Sequence, residues 1–262
     1  MNKGFALVTG ASSGIGAAIA KILASQGYNL VLVARRGPRL ANLKSEIQKI
    51  FRVEIIEMEF DLAVPGVAQK LFDRILEQGI KIQILINNAG AGMQGKFLEM
   101  DSSQLEKMIQ LNIITLTQLT LLFGKQMKAG EGGYILQVAS ASAFLPTPYV
   151  ASYAATKAYV LSFSEALTFE FRHSGVSVTT LYPGITRTEF NAHADAKSPA
   201  FMNPSILSAE QVARIGLRAM FSRRRAIVPG LINKLTSWIN GVFHRGFILF
   251  TAGVAMKKAN SQ

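Results

Sequence analysis

The sequence predicts a doubly wound α/β fold, in which helices cover both faces of a mostly parallel sheet. Short apolar runs alternate along the chain with longer segments whose apolar residues recur at helical spacing. Buried strands joined by helices are typical of parallel sheets. The chain has 262 residues, no cysteine, 49% hydrophobic and 17% charged residues, which excludes the disordered, collagen-like and disulfide-stapled classes.

The alternation can be followed element by element. The first apolar run is closed by Gly10, and the helical pattern after it ends at Gly27, a residue suited to a helix C-terminus. The strand-like runs are Phe5–Thr9, Leu30–Val33, Glu54–Phe60, Ile82–Ile86, Tyr134–Val138, Val176–Tyr182 and Ala226–Val228. The later helical patterns cover about 38–51, 64–78, 101–128, 150–173 and 208–221, the last beginning at the N-cap residue Ser208. This order predicts a Rossmann-type domain over 1–230 and an apolar, basic extension over 231–262.

The sequence also predicts a cytoplasmic protein. The apolar run near the N-terminus, Phe5–Val8, is too short for the core of a signal peptide. The longest apolar-leaning run without charge or proline, Met108–Gly124, contains Gln110, Asn112 and three threonines. Because a lipid-spanning helix should not carry so many polar groups, we interpret this run as a buried helix.

The formal net charge of +12 is concentrated in the C-terminal fifth of the chain. Residues 211–262 contain nine of the 28 lysines and arginines and no aspartate or glutamate. A solvated basic face is one interpretation. The others are that the apolar, basic segment 231–258 packs on a partner subunit or lies on an anionic membrane surface. Nucleic acid is not an expected partner, because the short Arg223–Arg225 run has no accompanying binding motif.

A glycine-rich turn separates the first strand from the first helix. Its glycines let the backbone approach a phosphate, and the helix N-terminus supplies free N–H groups and the positive end of the helix dipole. The predicted cradle consists of Gly10, Ser12, Ser13, Gly14, Ile15 and Gly16. Its spacing, G-x-x-x-G-x-G, differs from the G-x-G-x-x-G fingerprint, and an ordinary glycine-rich turn is the alternative.

The second strand ends in two arginines, Arg35 and Arg36. In dinucleotide-binding folds this strand end faces the adenosine ribose, where an acidic residue would hold a 2′-hydroxyl. A guanidinium group instead suits a 2′-phosphate. The two arginines therefore predict NADPH rather than NADH as the cofactor. A solvated basic edge formed with Arg39 is the alternative.

Further motifs follow in a characteristic order. They are Asp61-Leu62, Asn87–Gly90, Asn112, Ser140, Tyr153 with Lys157, and Pro183–Thr188. Of the six tyrosines, only Tyr153 has a lysine four positions later, and Ser140 precedes it by thirteen residues. In these motifs and their order, the chain resembles the short-chain dehydrogenase/reductase family over about residues 4–230.

The resemblance implies a role for each motif. Asn112, Ser140, Tyr153 and Lys157 would be catalytic, with Asn112 holding a water that relays protons to Lys157. Beyond the glycine turn, Arg35 and Arg36, the implied cofactor contacts are Asp61, Leu62, Asn88, Ala89, Gly90, Tyr153, Lys157, Pro183, Gly184, Ile185, Thr186 and Thr188. Thr188 is expected at the nicotinamide carboxamide, and Thr186 departs from the valine or isoleucine common at its position.

The chemistry of these residues supports the same interpretation. A tyrosine has a pKa of about 10 and must lose roughly 3 units to exchange protons near neutrality. Lys157 lies one helical turn after Tyr153, where its ammonium group favours the phenolate. Ser140 can hydrogen-bond a substrate carbonyl as negative charge develops on the oxygen. The alternatives are a core tyrosine with a nearby surface lysine, a turn serine at Ser140 or Ser142, and a packing contact for Asn112.

The predicted function is the reversible, NADPH-dependent reduction of a ketone or aldehyde to an alcohol. An apolar substrate is favoured by the 186–207 loop, whose apolar residues are Phe190, Phe201, Met202, Ile206 and Leu207. A 3-oxoacyl reductase acting on a carrier- or CoA-bound substrate, and a non-catalytic NADPH-binding scaffold or sensor, are the alternatives. The helices that carry Asn112 and Tyr153 resemble those of the family's interfaces, so a homodimer or homotetramer is expected. No metal site is expected, since the three histidines are far apart in the sequence.

Overall fold

The computed structural model describes residues 3–189 and 206–230, together with the single residues 246, 249, 253 and 254. The helices are α1 (Gly14–Ser25), α2 (Gly37–Gln48), α3 (Val67–Glu77), α4 (Ser102–Ile109), α5 (Leu116–Ala129), α6 (Ala151–Glu170) and α7 (Ala209–Phe221). The strands are β1 (Phe5–Thr9), β2 (Asn29–Ala34), β3 (Ile55–Glu59), β4 (Ile82–Asn87), β5 (Gly133–Val138), β6 (Val176–Leu181), β7 (Thr186–Arg187), β8 (Leu207–Ser208) and β9 (Ala226–Ile227). Up to β6, strands and helices alternate in the order that the apolar pattern predicts.

Seven strands form one sheet in the order β3-β2-β1-β4-β5-β6-β9, and all of their pairings are parallel. The chain builds outward from β1 through β2 and β3, and then returns to the other side of β1 at β4. This reversal opens a crevice at the carboxyl ends of β1 and β4, the position where open α/β sheets bind their ligands. The arrangement confirms the predicted doubly wound, Rossmann-type fold.

A hydrophobic layer covers each face of the sheet, because successive side chains of a strand point to opposite faces. In β1, Ala6 and Val8 pack into a cluster with residues of α1, α2 and α7, whereas Leu7 packs into a cluster with residues of α3, α5 and α6. Every residue of β2 is buried. Burial on both faces explains why the strands are continuous apolar runs in the sequence. The sheet is thus a rigid support for the loops at its carboxyl edge.

The long helix predicted over 101–128 is interrupted. Helices α4 and α5 are joined by a π-helical turn at Gln110–Thr115, which contains Asn112. A π turn holds an extra residue, and such turns are frequent at functional sites. The hydrophobic pattern does not reveal it, because helical spacing resumes on the other side of the turn.

The short elements were also not predicted from the sequence. They are the 3₁₀ helices Phe97–Glu99 and Ala141–Phe144 and the separate two-stranded parallel sheet of β7 and β8. Elements of two to four residues are too short for periodicity to indicate them. The N-cap predicted at Ser208 is confirmed, since its Oγ accepts from Gln211 N at 3.1 Å and its backbone N–H donates to Gln211 Oε1 at 2.9 Å.

The extension predicted over 231–262 lies outside the described residues apart from four single positions, so its boundary and packing stay predictions. Immediately before it, the guanidinium of Arg223 lies 5.5 Å from the ring centroid of Tyr134, and Arg225 Nε lies 3.9 Å from Glu165 Oε1. Two of the three consecutive arginines thus contact side chains of this chain. In the part of the chain that the structure describes, no helix combines the length and the apolarity needed to cross a bilayer.

Candidate active site and nucleotide cradle

The glycine turn brings the start of α1 close to the end of β1. Gly10 and Gly14 have φ values of +65° and +58°, in the left-handed region that favours glycine. A Cβ atom on Gly16 would lie 2.4 Å from the carbonyl oxygen of Gly10, so any side chain at this position would clash with the backbone of the turn. The N-cap residue Ser13 makes no side-chain bond to the first N–H groups of α1. The turn therefore presents backbone N–H donors at a helix N-terminus, a geometry that suits a phosphate group.

Thr9 holds the glycine turn against the end of β4. Its Oγ1 donates to the carbonyl of Ile86 and accepts from the N–H groups of Asn88 and Ala89, each at 3.0 Å. The Asn88 amide in turn donates to the carbonyls of Thr9 at 2.9 Å and Gly10 at 3.3 Å. Asn88 and Ala89 thus lie at the crevice, as predicted, and Asn88 supports the cradle itself. The role of Thr9 was missed by sequence reasoning, although a hydroxyl that closes an apolar strand was a usable signal.

Arg36 is the arginine that contacts the glycine turn. Its Nη2 donates to Ser12 Oγ and to Ser13 Oγ, both at 2.9 Å, and its Nη1 donates to Glu189 Oε2 at 3.0 Å. Arg35 is exposed, and among the described residues its side chain has no hydrogen-bond partner. The structure therefore distinguishes two residues that the sequence analysis treats alike: Arg36 faces the cradle and Arg35 faces solvent.

The residues predicted after β3 lie beside the π-helical turn. The carbonyl of Leu62 accepts from Thr115 Oγ1 at 2.8 Å, which fixes this loop to the π turn. Asp61 is exposed, and its Oδ1 accepts from the N–H of Ala63 at 3.0 Å. Ile15 of the cradle packs against the first hydrophobic cluster, so its side chain contributes to the core rather than to the crevice.

The loop that follows β6 extends to the glycine turn. The carbonyl of Pro183 accepts from Ala141 N at 2.8 Å, and Thr186 Oγ1 donates to the carbonyl of Gly184 at 3.0 Å. Thr188 reaches the glycine turn, because a Cβ built on Gly14 would lie 3.1 Å from its methyl carbon. Thr186 is buried, whereas Gly184, Ile185 and Thr188 are partly exposed.

Ser140, Tyr153 and Lys157 come together at the carboxyl end of β5. Ser140 lies close enough to the Tyr153 phenol to influence its pKa, and Lys157 Nζ lies 5.8 Å from the centroid of the Tyr153 ring. Lys157 is only 4% exposed, and its Nζ donates to the carbonyl of Val138 at 2.9 Å. Ser140 Oγ also accepts from Ser142 N at 3.1 Å, which orients the serine hydroxyl. The structure thus assembles the predicted triad in one place.

The pKa of each member of this pair differs from what the sequence suggests. Burial raises the pKa of Tyr153, and its hydrogen bond with Ser140 opposes that rise. Burial lowers the pKa of Lys157 to about 8 from its usual 10.5. The sequence predicts that the lysine lowers the pKa of the phenol, but burial is the largest influence on Tyr153 and it raises that pKa. The phenol is therefore held in its protonated form, the form that can donate a proton.

Asn112 is fully buried and lies against the loop after β4. Its Oδ1 accepts from Ala91 N at 3.0 Å, and its Nδ2 donates to Ala91 O at 2.9 Å and to Thr156 Oγ1 at 3.0 Å. A Cβ on Gly90 would lie 3.3 Å from Asn112 Oδ1 and 3.5 Å from Lys157 Nζ. The amide thus makes the packing contact that was the alternative interpretation, while it also lies in the same cluster as Gly90 and Lys157.

A buried amide network beneath the site was also missed by sequence reasoning. Asn87 Nδ2 donates to Thr120 Oγ1 at 3.0 Å and to Gln137 Oε1 at 3.1 Å, and Gln137 Nε2 donates to Thr120 Oγ1 at 2.8 Å. These bonds tie β4, β5 and α5 together near the carboxyl end of β5, which Ser140 follows. A glutamine inside the apolar run of β5 was the available signal, since a buried amide needs partners.

A glycine cradle at the switch point of a doubly wound sheet, next to a buried serine, tyrosine and lysine, defines a nucleotide-dependent oxidoreductase. The family model described as short chain dehydrogenase matches residues 4–199. The chain therefore belongs to the short-chain dehydrogenase/reductase family.

Individual relatives agree with this assignment. The human very-long-chain 3-oxoacyl-CoA reductase is 32% identical over 245 residues, which cover 90% of this chain and 76% of the relative. A short-chain dehydrogenase from Sphingobium yanoikuyae, solved in complex with NADPH, is 29% identical with a TM-score of 0.80 and covers 92% of this chain and 97% of its own. A family member from Burkholderia phymatum, solved with NAD, is 25% identical with a TM-score of 0.81 and covers 90% of this chain and 92% of its own.

Proposed function

We propose that this protein is an NADPH-dependent carbonyl reductase that converts a ketone or aldehyde to an alcohol. The observation that carries the proposal is the cluster of Ser140, Tyr153 and Lys157 at the end of β5, with Lys157 Nζ 5.8 Å from the centroid of the Tyr153 ring and Ser140 close to the phenol. When bound, NADPH supplies the hydride. The chain's own residues orient the carbonyl group and supply the proton.

Each catalytic residue has a distinct task in this proposal. Ser140 hydrogen-bonds the carbonyl oxygen of the substrate and stabilises the negative charge that develops there. The Tyr153 hydroxyl, kept protonated by burial, donates its proton to the same oxygen. Lys157 stabilises the phenolate that remains. Asn112 fixes the loop of Ala91 and positions Thr156 in the helical turn between Tyr153 and Lys157. We also propose that Asn112 holds a water that relays protons to Lys157. In alcohol oxidation the same groups act in reverse.

The proposed preference for NADPH rests on Arg36. Its guanidinium is held at the glycine turn by Ser12 and Ser13, so a 2′-phosphate on the adenosine ribose would meet a fixed cation. Both NADPH and NAD occur in the solved relatives, so family membership by itself does not decide the preference. The remaining proposed contacts to the nucleotide are Gly10, Gly14, Ile15, Gly16, Arg35, Asp61, Leu62, Asn88, Ala89, Gly90, Pro183, Gly184, Ile185, Thr186 and Thr188.

A second candidate is the reduction of 3-oxoacyl thioesters, and it is favoured by the similarity to the human very-long-chain 3-oxoacyl-CoA reductase. The chemistry is the same, since a 3-oxo group is a ketone. The two candidates differ in what is attached to the reacting carbon. An apolar substrate is proposed in both cases; Ile206 and Leu207 are the described residues of the loop that motivates it, and both are partly buried.

A panel of carbonyl compounds tests these candidates together. We expect consumption of NADPH, followed by its absorbance, with free apolar ketones, with 3-oxoacyl-CoA of increasing chain length, or with 3-oxoacyl groups on an acyl carrier protein. Turnover that rises with acyl-CoA length would favour the second candidate. Tight NADPH binding without turnover of any compound would contradict catalysis and support a sensor or scaffold.

We also propose that the protein is a homodimer or homotetramer assembled through α5 and α6. Most exposed positions of α6 carry small or aromatic uncharged side chains, and the exposed Glu170 is the last residue of the helix. The uncharged ones are Ala151, Ala155, Ala158, Tyr159, Ser162, Ala166 and Phe169. On α5, Leu121 is 54% exposed, and Thr117 donates to or accepts from the Tyr159 hydroxyl at 2.9 Å across the two helices. A face with few charges, with an exposed leucine beside it, suits close packing against a second copy.

The proposed location is the cytoplasm, with the segment 231–258 in contact with a partner subunit or an anionic membrane. Removal of residues 231–262 is expected to change either the sedimentation coefficient or the binding to liposomes that contain anionic lipid. Liposomes of neutral lipid alone are the control, because an electrostatic attraction should not act on them. Unchanged behaviour in both measurements would leave the extension as a cover for the core.

A further inference from the structure

Glu189 connects two arginines that lie about 150 residues before it in the sequence. Its Oε2 accepts from Arg36 Nη1 at 3.0 Å, and its Oε1 accepts from Arg39 Nη1 at 2.7 Å. Glu189 directly follows Thr188, which lies over Gly14 of the glycine turn. One carboxylate therefore joins the loop after β7 to the start of α2.

The two edges of the Arg36 guanidinium have different partners. One edge donates to the hydroxyls of Ser12 and Ser13 and is thereby fixed at the cradle. The other edge donates to Glu189. A carboxylate and a phosphate monoester use the same guanidinium N–H donors, so both cannot occupy this edge together. Glu189 thus lies where a ribose 2′-phosphate would bind if the protein uses NADPH.

The ion pairs of Glu189 with Arg36 and Arg39 are weak enough for a competing anion to replace the carboxylate. The side chains of Arg36, Arg39 and Glu189 are 38%, 45% and 46% exposed, and half-exposed ion pairs are only weakly stabilising. The two guanidinium groups, that of Arg39 first, lower the pKa of Glu189, so its carboxylate is charged at neutral pH. A dianionic phosphate can therefore displace it, but only by giving up part of its own binding free energy.

We propose that Glu189 is an internal competitor for the 2′-phosphate: its carboxylate pairs with Arg36 and Arg39, and it leaves them when NADPH binds. The inference rests on the proposed preference for NADPH and extends it. Glu189 then influences cofactor specificity. It reduces the difference in affinity between NADPH and NADH that the arginines create. Loss of its charge makes the site more selective for the phosphorylated cofactor.

The test compares Glu189→Gln with wild-type protein and with Glu46→Gln as a matched control. Glu46 lies on α2, pairs with Lys21 Nζ at 2.7 Å, and its substitution changes the net charge equally. Dissociation constants are measured by calorimetry for NADPH, NADH, 2′,5′-ADP and 5′-AMP. For E189Q we expect NADPH and 2′,5′-ADP to bind about three- to tenfold more tightly, with NADH and 5′-AMP unchanged. For E46Q we expect wild-type values for all four.

The outcomes separate this inference from the proposed function. If wild-type protein prefers 2′,5′-ADP to 5′-AMP and E189Q leaves that ratio unchanged or reduces it, the competitor role is wrong and the NADPH preference stands. If the wild type shows no preference and E189Q gains one, the competitor role is supported and the assigned cofactor preference is wrong. Equal tightening for phosphorylated and unphosphorylated ligands, or no preference in either protein, overturns the inference.

Discussion

Lys157 is a cation in a position that disfavours charge, and this has a measurable energetic consequence. Its pKa of about 8 in the folded protein lies below the usual 10.5 because the side chain is buried. Between these two pH values the unfolded chain binds a proton that the folded chain does not, so stability rises with pH in this window. Below about pH 8 the folded protein bears the full cost of the buried charge. Catalysis, in the proposed function, is the reason for keeping that cost.

The first prediction concerns that cost. Lys157→Met is expected to raise the free energy of unfolding of the nucleotide-free protein by about 1–3 kcal/mol at pH 7. This range is the free energy that corresponds to the lowered pKa of Lys157, reduced by the loss of its hydrogen bond to the carbonyl of Val138. The gain should shrink towards pH 10. Urea denaturation at pH 7 and pH 9.5 measures it, with the exposed Lys70→Met as the control. A destabilised K157M protein at pH 7 would contradict the argument.

The second prediction concerns the proton donor. Tyr153→Phe keeps the ring but removes the hydroxyl, so carbonyl reduction should fall by at least about 100-fold while the dissociation constant of NADPH stays within about twofold. Tyr159→Phe, on the same helix, removes a hydroxyl that bonds Thr117 instead of Ser140 and should leave turnover unchanged. Retained activity in Y153F would show that another group supplies the proton.

The third prediction ranks the two arginines at the end of β2. Arg36→Ala should weaken NADPH binding by about 1.5–3 kcal/mol, the size of a hydrogen bond to a charged group, and leave NADH binding nearly unchanged. Arg35→Ala should have the smaller effect, because Arg35 is exposed and does not contact the cradle. Calorimetric titration of both cofactors checks this ranking. Equal losses for NADPH and NADH would contradict contact with a 2′-phosphate.

At the residue scale, local spacing was informative and distant pairing was not. Tyr153 and Lys157 could be predicted because one helical turn brings positions i and i+4 to the same face. The contact of Arg36 with Glu189 could not be predicted, because the two residues are 153 positions apart and only the complete fold brings them together. The pKa directions could not be predicted either, because they follow from burial, which only the assembled fold determines.

At the scale of elements, the π-helical turn determines where Asn112 points. A continuous α-helix over 101–128 would continue the spacing of α4, whereas the turn at Gln110–Thr115 places the Asn112 amide against Ala91 and Thr156. The seven strands of the main sheet were predicted to within about one residue at each end, because burial on both faces makes the inner strands mostly apolar runs. The π turn leaves no such mark, since it changes the phase of the helix and not its composition.

The fourth prediction belongs to α5. Leu121→Glu replaces an exposed leucine by a charged residue on the face proposed for subunit contact, so the protein is expected to dissociate into smaller assemblies. Sedimentation velocity measures the change. Leu76→Glu is the matched control, because Leu76 is 46% exposed on α3, outside the proposed face, and should not alter the assembly. Identical sedimentation of L121E and wild type would exclude α5 from the interface.

At the scale of the whole molecule, the charge is distributed unevenly. The 210 residues before the C-terminal fifth carry all 16 acidic residues, and the nine basic residues of that last fifth are divided between 211–230, which hold five, and 231–262, which hold four. The sheet and its helices were predictable because they follow burial, which sets both composition and period. The function of the basic segment was not, since a high positive charge is compatible with several partners.

The order of the strands links catalysis to the integrity of the whole sheet. The cradle follows β1, the loop of Gly90 follows β4, Ser140 follows β5, and Thr188 comes after β6, so neighbouring strands that are remote in sequence each contribute one wall of the site. The complete site therefore needs β1, β4, β5 and β6 to be paired with one another. Any unfolding that separates one of these strands from its neighbour is expected to abolish activity, even when the rest of the domain stays folded.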